Sequence, residues 1–276
     1  MIYTKHQNLA DRVIDYLAYH PGASLPKMRK DIELAAGRIS YQAWYKSLRR
    51  LQDDGVMVKN KQQYSLSTTW VSKLTNLSYF MKSNYLSQQA KYHITLPDKE
   101  KEKIRYRFPN LLTMDTFWGH VAVSLIIKNP GLPFYFYNPH LWFFVAHEFE
   151  SKAYFESIQL YVVKNYTVVG SRSAIDLWSE KLHPKGVSYY YCSPKSLYNH
   201  RLYLTAIGDY YIEVKIREQM AQKIDFLFEK ISFNPQKEHP PAGIDKLFKQ
   251  KSPCSMVVEL NKKKATRFSR KIQRFF

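Results

Sequence analysis

Cysteine is nearly absent: Cys192 and Cys254 are the only two among 276 residues, which excludes a disulfide framework and a four-cysteine metal site and fits a reducing cytoplasm. No uninterrupted apolar run opens the chain, since "MIYTKHQNLADRVIDYLAYHPG" lacks the h-region of a secretory signal. The most apolar zone, from His120 to Phe149, is broken by "KNPGLP" into pieces too short to span a bilayer. A cytoplasmic protein without membrane spans is expected. Acid is also scarce: 23 Asp and Glu stand against 42 Lys and Arg, a formal charge of +19. Such an excess favours polyanionic partners, nucleic acid ahead of membrane surface. No internal repeat, low-complexity segment, G-x-G-x-x-G, G-K-[ST], paired-carboxylate or Cys/His nucleophile pattern is found. What is present is 45% hydrophobic content, enough for the core of one large domain or two modest ones.

The stretch "NLADRVIDYLAY" places Leu9, Val13, Tyr16 and Leu17 on one helical face and is stopped by "HPG". A second, short helix is predicted from "SLPKMRKDIELAAG", with Ser24 as N-cap, Pro26 in the first turn, Met28 and Ile32 inward and Gly37 past its end. A third runs from Ser40 to about Asp54, closed by Gly55. In it Trp44, Leu48 and Leu51 recur at i, i+4, i+7, leaving Tyr41, Gln42, Tyr45, Lys46 and Arg49 on the other side. "VMVKNKQQYSLS" reads as two short strands around a polar turn.

Ser40, Trp44, "LRRLQDDGVM" and the hairpin ending in "YSLS" resemble the winged helix-turn-helix domain of prokaryotic transcriptional regulators over residues 1–68. That resemblance implies a third helix in the major groove with Ser40, Tyr41, Gln42, Tyr45, Lys46 and Arg49 facing DNA. It also implies that Lys59, Asn60, Lys61 and Gln62 meet phosphate or minor groove, and that Arg38 and Arg50 clamp phosphates. A winged helix turned to protein binding is the alternative.

Residues 69–105 read as a linker: a connecting helix with Trp70, Leu74, Leu77 and Met81 at helical spacing, packed between domains or against a partner subunit, then a mixed-charge run from Asp98 to Arg107 read as an exposed loop or strand edge. From 106 to 276 strands and helices alternate. Helices are expected at "TMDTFWGHVAVSLIIKN", "SAIDLWSEKLHPKG" with Ser173 as cap, "REQMAQKIDFLFEKI" and "KKKATRFSRKIQRFF". Strands are expected at "SIQLYVVKN", "VSYYYCS", on both sides of Gly208 and Asp209, and at "SMVVEL". This architecture resembles the α/β sensor or dimerisation domains of archaeal and bacterial regulators, including the TrmB-like group, with no motif that matches residue by residue.

Several motifs invite chemistry. His140, His147 and Glu148 in "NPHLWFFVAHEFE" fail the H-E-x-x-H spacing, and an aromatic core with polar tips or a ligand pocket lined by Trp142, Phe143 and Phe144 fits better than a metal site. "VVGSRSAID" reads as ordinary capping, with anion binding at the helix N-terminus as the lesser reading. The 22 tyrosines, many in "YFYNP", "SYYYCS" and "DYYIEV", read as half-buried sheet residues before base-stacking platforms. The basic last helix reads first as a packed helix with a solvated face, then as an auxiliary nucleic-acid contact, and last as a membrane-surface element.

The sequence therefore predicts an α+β or α/β protein: a winged helix (1–68), a connecting helix and linker (69–105) and a mixed α/β effector or dimerisation domain (106–276). Its expected function is sequence-specific binding of double-stranded DNA in transcription regulation, as a homodimer, without catalysis, cofactor or metal, and with a small-molecule or protein effector at the C-terminal domain. The alternatives are a DNA-binding antitoxin resembling the AbiEi type and a nucleic-acid-processing enzyme targeted by its winged helix.

Overall fold

Short polar side chains start the helices of the N-terminal half. In α1 (Leu9–Tyr19) the Asn8 side chain accepts from the Asp11 backbone N–H at 3.0 Å. In α3 (Tyr41–Asp53) Ser40 Oγ accepts from the Ala43 N–H at 3.2 Å. Between them lie β1 (Ala23–Ser24) and α2 (Leu25–Ala36). Ser24 occupies the N-cap position of α2 but makes no capping hydrogen bond; its backbone is in register with Gln63, and Pro26 already removes a donor from the first turn.

The computed structural model describes residues 8–86, 94–146, 164–181, 187–192, 199–234 and 244–276. The chain divides into two units, Met1–Tyr85 and Leu86–Phe276.

In the first unit α3 is followed by β2 (Met57–Asn60) and β3 (Gln63–Leu66), which with β1 form an antiparallel sheet of order β1-β3-β2. Val13, Leu17, Met28, Ile32, Trp44, Leu48 and Leu51 form one core. The helical stripes expected to point inward do so. The buried Trp44 indole N–H donates to Glu33 at 2.9 Å, which locks α3 against α2. Next comes α4 (Thr68–Leu86), of which Trp70 packs on this core while Leu77, Met81 and Tyr85 are 54%, 53% and 57% exposed. Leu74, one turn after Trp70, is half-buried.

The second unit is built on a seven-stranded sheet of order β4-β10-β9-β8-β5-β6-β7. Its strands are β4 (Lys103–Phe108), β5 (Phe134–Asn138), β6 (Asn165–Val169), β7 (Val187–Tyr191), β8 (Leu202–Ile207), β9 (Tyr210–Lys215) and β10 (Cys254–Leu260). Pairing is antiparallel from β4 through to β5 and parallel among β5, β6 and β7. The β8–β9 hairpin turns on Gly208, whose φ of +53° suits glycine and where an added Cβ would stand 2.6 Å from the Asn129 side chain.

The helices are α5 (Leu111–Lys128), α6 (Trp142–Ala146), α7 (Ala174–Glu180), α8 (Glu218–Lys230), α9 (Asp245–Lys249) and α10 (Lys262–Gln273). One face of the sheet packs on a large core with side chains from α5 to α9. The other is covered by α10 through Ala265, Phe268 and Ile272. Being sandwiched makes β5 buried along its whole length, so Tyr135 and Tyr137 are 6% and 1% exposed, not half-buried as their residue type suggested. The mixed-charge run ends in the edge strand β4, where lysine and arginine guard against further pairing. The strand expected at residues 157–165 lies outside the described residues except for 164–165; the described strand there, β6, begins at Asn165.

Candidate nucleic-acid interface

Burial of Trp44, Leu48 and Leu51 dictates which side chains α3 can present. Gln42, Lys46, Arg49 and Asp53 lie directly opposite that stripe, with Tyr41 and Tyr45 on one flank and Arg50 on the other. All of these are exposed, as are Arg38 and the capping Ser40, and the tyrosines are 72% and 69% accessible. Charge is not spread evenly along the face. Arg49 stands 3.9 Å from Asp53 and Arg50 3.5 Å from Asp54, so the acids occupy the C-terminal turn while the first two turns, from Ser40 to Lys46, carry none.

Two contacts fix the orientation of this end. The Arg29 guanidinium of α2 lies 4.0 Å over the Tyr41 ring and also pairs with Glu33 at 3.2 Å. Glu33 therefore joins Trp44 and Arg29, and the Trp44 N–H, followed by Arg29, holds its carboxyl below the usual range.

The β2–β3 hairpin brings the second group. Asn60 pairs with Gln63, so Lys61 and Gln62 form a two-residue turn, and Lys59, Asn60, Lys61 and Gln62 are all exposed. Lys59 Nζ lies 5.4 Å over the Tyr64 ring, which holds it beside the strand. Lys61 has φ of +54°, a left-handed conformation that glycine adopts more readily than lysine. All twelve residues proposed from the sequence thus fall on the exposed surface of one unit, in the segment before α3, on the outward sides of α3 and in the β2–β3 hairpin.

In the second unit a polar chain was not foreseen. His140, 5% exposed, follows the carboxyl end of β5 and lies 3.2 Å from Asp176 and 3.2 Å from Asp225. Asp225 meets His200 at 2.5 Å, and His200 meets Glu218 at 2.9 Å. Asp176 also accepts from the Leu141 N–H and from Ser173 Oγ, both at 2.8 Å. The same Ser173 oxygen accepts from the Asp176 N–H at 3.1 Å, so the expected capping of α7 is present. Burial by itself would lower the His140 pKa, but the two carboxylates outweigh it and push it up to about 9. The same contest raises His200 and holds Asp225 low against its own burial. Every ring nitrogen of the two histidines is engaged. The chain fastens α7 and α8 to the end of β5, and nothing local in the sequence signals it, because its members come from segments far apart.

Among the described residues no group of three or more His, Cys, Asp or Glu side chains is arranged to hold a metal, and no helix is long and apolar enough to cross a membrane. His147 and Glu148 lie outside the described residues. Trp142 and Phe143 line a cavity of about 50 Å³ with Asn138, Thr167 and Tyr203, whereas Phe144 is buried in the core. A water in the liquid takes about 30 Å³ and ligand pockets start near 300 Å³, so this cavity suits a water or two.

No family model and no curated protein matches the chain. One solved structure that it resembles is described as "Structure of TrmBL2, an archaeal chromatin protein, shows a novel mode of DNA binding." The two share 9% identity and a TM-score of 0.34 over 98% of this chain and 94% of the other. At that score the likeness supports no conclusion about function.

Proposed function

We propose that the first unit is a winged helix that reads double-stranded DNA, with α3 as recognition helix and the β2–β3 hairpin as wing, and that the protein is a sequence-specific transcription regulator of the cytoplasm. The observation that carries this reading is the acid-free N-terminal half of α3. There Gln42 and Lys46 face directly away from the core, flanked by Tyr41 and Tyr45, in the part of a recognition helix that meets base edges. Gln42 supplies the bidentate donor and acceptor suited to adenine, and Arg49 the fork suited to guanine. The chain's charge of +19 supplies the attraction to phosphate. Crosslinking of the tagged protein to DNA across the genome tests the reading: a small set of sharp sites supports a regulator, and uniform coverage defeats sequence-specific recognition.

The wing makes a separable contribution. Lys59→Ala and Lys61→Gly together should lower the slope of log K against log salt by roughly 1.8, about 0.9 for each lost phosphate contact. Because glycine suits the φ of +54° at position 61, the turn should be no less stable in the variant, and thermal melting separates lost contact from lost structure. An unchanged slope would remove the wing from the interface.

A regulator reading a two-fold operator needs two copies, and we assign their contact to α4. Trp70, Leu74, Leu77 and Met81 form one stripe that starts on the core of the first unit, half-buried at Trp70 and Leu74 and exposed at Leu77 and Met81. Leu77→Glu with Met81→Glu should convert a dimer to a monomer in light scattering. A wild-type monomer at assay concentration would withdraw the assignment.

We read the second unit as non-catalytic, on the support that both ring nitrogens of the buried His140 and of the partly exposed His200 are engaged by carboxylates. No effector is assigned to the small cavity beside Trp142.

A further inference from the structure

We propose that the α10 face of the second unit is a second duplex-binding surface, one that holds the sugar-phosphate backbone of DNA without reading its sequence. It consists of a helix stripe and a sheet margin that the strand register places on the same side. On α10, Lys263, Arg267, Arg270 and Arg274 recur at i, i+4, i+7 and i+11 and are exposed, directly opposite the buried Ala265, Phe268 and Ile272. No acidic residue lies on this helix.

The sheet adds a second row. Met256 and Val258 of β10 point into the core on the far face, so Ser255, Val257 and Glu259 point to the α10 side. Their partners in β4 are Arg107, Arg105 and Lys103, and Ser255 also faces Lys215 of β9. Cross-strand partners share a face, so these four exposed cations lie on the side of the sheet that α10 covers, at its β4–β10–β9 margin, although they are distant in sequence from that helix.

The acids on this side are few. Glu259, 2% exposed, is consumed internally: it accepts from Asn261 at 2.8 Å and Lys264 at 3.0 Å and lies 3.4 Å from Lys103. Its carboxyl is held below the usual range, against its burial, by Asn261 and the two lysines. Glu213, half-buried, is in register with Val257.

The chemistry selects the partner. An amphipathic helix binds a membrane by sinking its apolar stripe, but here that stripe is already spent on the sheet. A protein interface needs a desolvated core of aromatic or aliphatic groups, whereas this face offers cations whose partners remain hydrated; the exposed Tyr190 and Phe276 sit together where α10 ends over β7. Those two rings stand at one end of the helix, and among the described residues none interleaves with the cations to stack a single strand. From Lys263 to Arg274 the stripe spans about 16 Å, over which B-DNA presents about ten phosphates. The choice of DNA over duplex RNA rests on the reading of the first unit; the surface alone fits a regular double-stranded backbone.

The test uses the full chain carrying Arg105→Gln, Arg107→Gln, Arg267→Gln and Arg270→Gln, whose exposed side chains permit substitution without loss of core. On duplex DNA of random sequence the salt slope should fall by about 3 to 4, at roughly 0.9 per phosphate contact. Affinity should drop at least tenfold, with unchanged thermal melting and unchanged ranking of DNA sequences. An unchanged slope overturns the proposal. So does a loss confined to vesicles of anionic lipid, or to duplex RNA. The same measurement on Gln42→Ala with Arg49→Ala keeps the two readings apart: retained sequence preference there defeats the first unit's role and leaves the slope result for α10 standing, whereas an unchanged slope in the fourfold variant defeats only the present proposal.

Discussion

In the full chain, Gln42→Ala together with Arg49→Ala should erase the difference in affinity between a target duplex and a scrambled one, while thermal unfolding stays as in the wild type. Each good bidentate base contact is worth about 1–3 kcal/mol, so two of them set a discrimination of about 30-fold at the least. Folding should be insensitive because both side chains point away from the core and the Arg49–Asp53 pair is about 70% exposed on either side, where ion pairs contribute about 0–1 kcal/mol. Competition binding with the two duplexes decides the matter. If all sequences lose affinity equally, Gln42 and Arg49 hold phosphates and the specificity lies elsewhere on α3.

The second large effect concerns the stability of the second unit. Asp176→Ala removes a fully buried carboxylate that accepts from the Leu141 N–H, from Ser173 Oγ and from His140, leaving a buried donor and a half-neutralised imidazolium. Breaking a buried pair in this way costs about 3–5 kcal/mol, readable from denaturant unfolding followed by tryptophan fluorescence. A loss below about 1 kcal/mol would show that the chain is not holding α7 to β5.

The same chain imposes a pH dependence with a definite sign. His140 binds its proton more tightly folded, at a pKa of about 9, than unfolded, at about 6.5. Its contribution is therefore complete below about pH 6.5 and is lost as pH rises toward 9. The magnitude is on the order of 3 kcal/mol, shared with Asp225. Asp225, held low by the two histidines, acts in the opposite direction: its share is present above the ordinary carboxylate range and is lost as acid drives the pH through its depressed pKa. Stability of the second unit should thus peak in mildly acidic solution, and His140→Gln should flatten the alkaline limb.

The candidate interface was readable because everything that defines it is local. A capping serine, an apolar stripe at i, i+4, i+7 and a two-residue turn operate within a dozen residues, so burial of Trp44, Leu48 and Leu51 leaves no choice about where Gln42, Lys46 and Arg49 point. Even there, the Glu33 bridge to Trp44 and Arg29, and the stacking of Arg29 on Tyr41, depend on how α2 crosses α3. The outward exposure of α4 was not readable either, since the spacing of Trp70, Leu74, Leu77 and Met81 marks a stripe without saying what covers it.

By itself, then, the sequence determined the surplus of positive charge, the position of most described helices and strands, and the outward face of α3, all consequences of composition and of periodicities two to four residues long. Only the tertiary structure decided that β5 lies at the centre of a mixed sheet, that His140, Asp176, His200 and Asp225 meet, and that Arg105 and Arg107 share a face with α10. Those outcomes depend on strand order and register. Hydrogen bonding between strands sets them across separations of up to about 150 residues, as between β4 and β10, which no short-range pattern encodes.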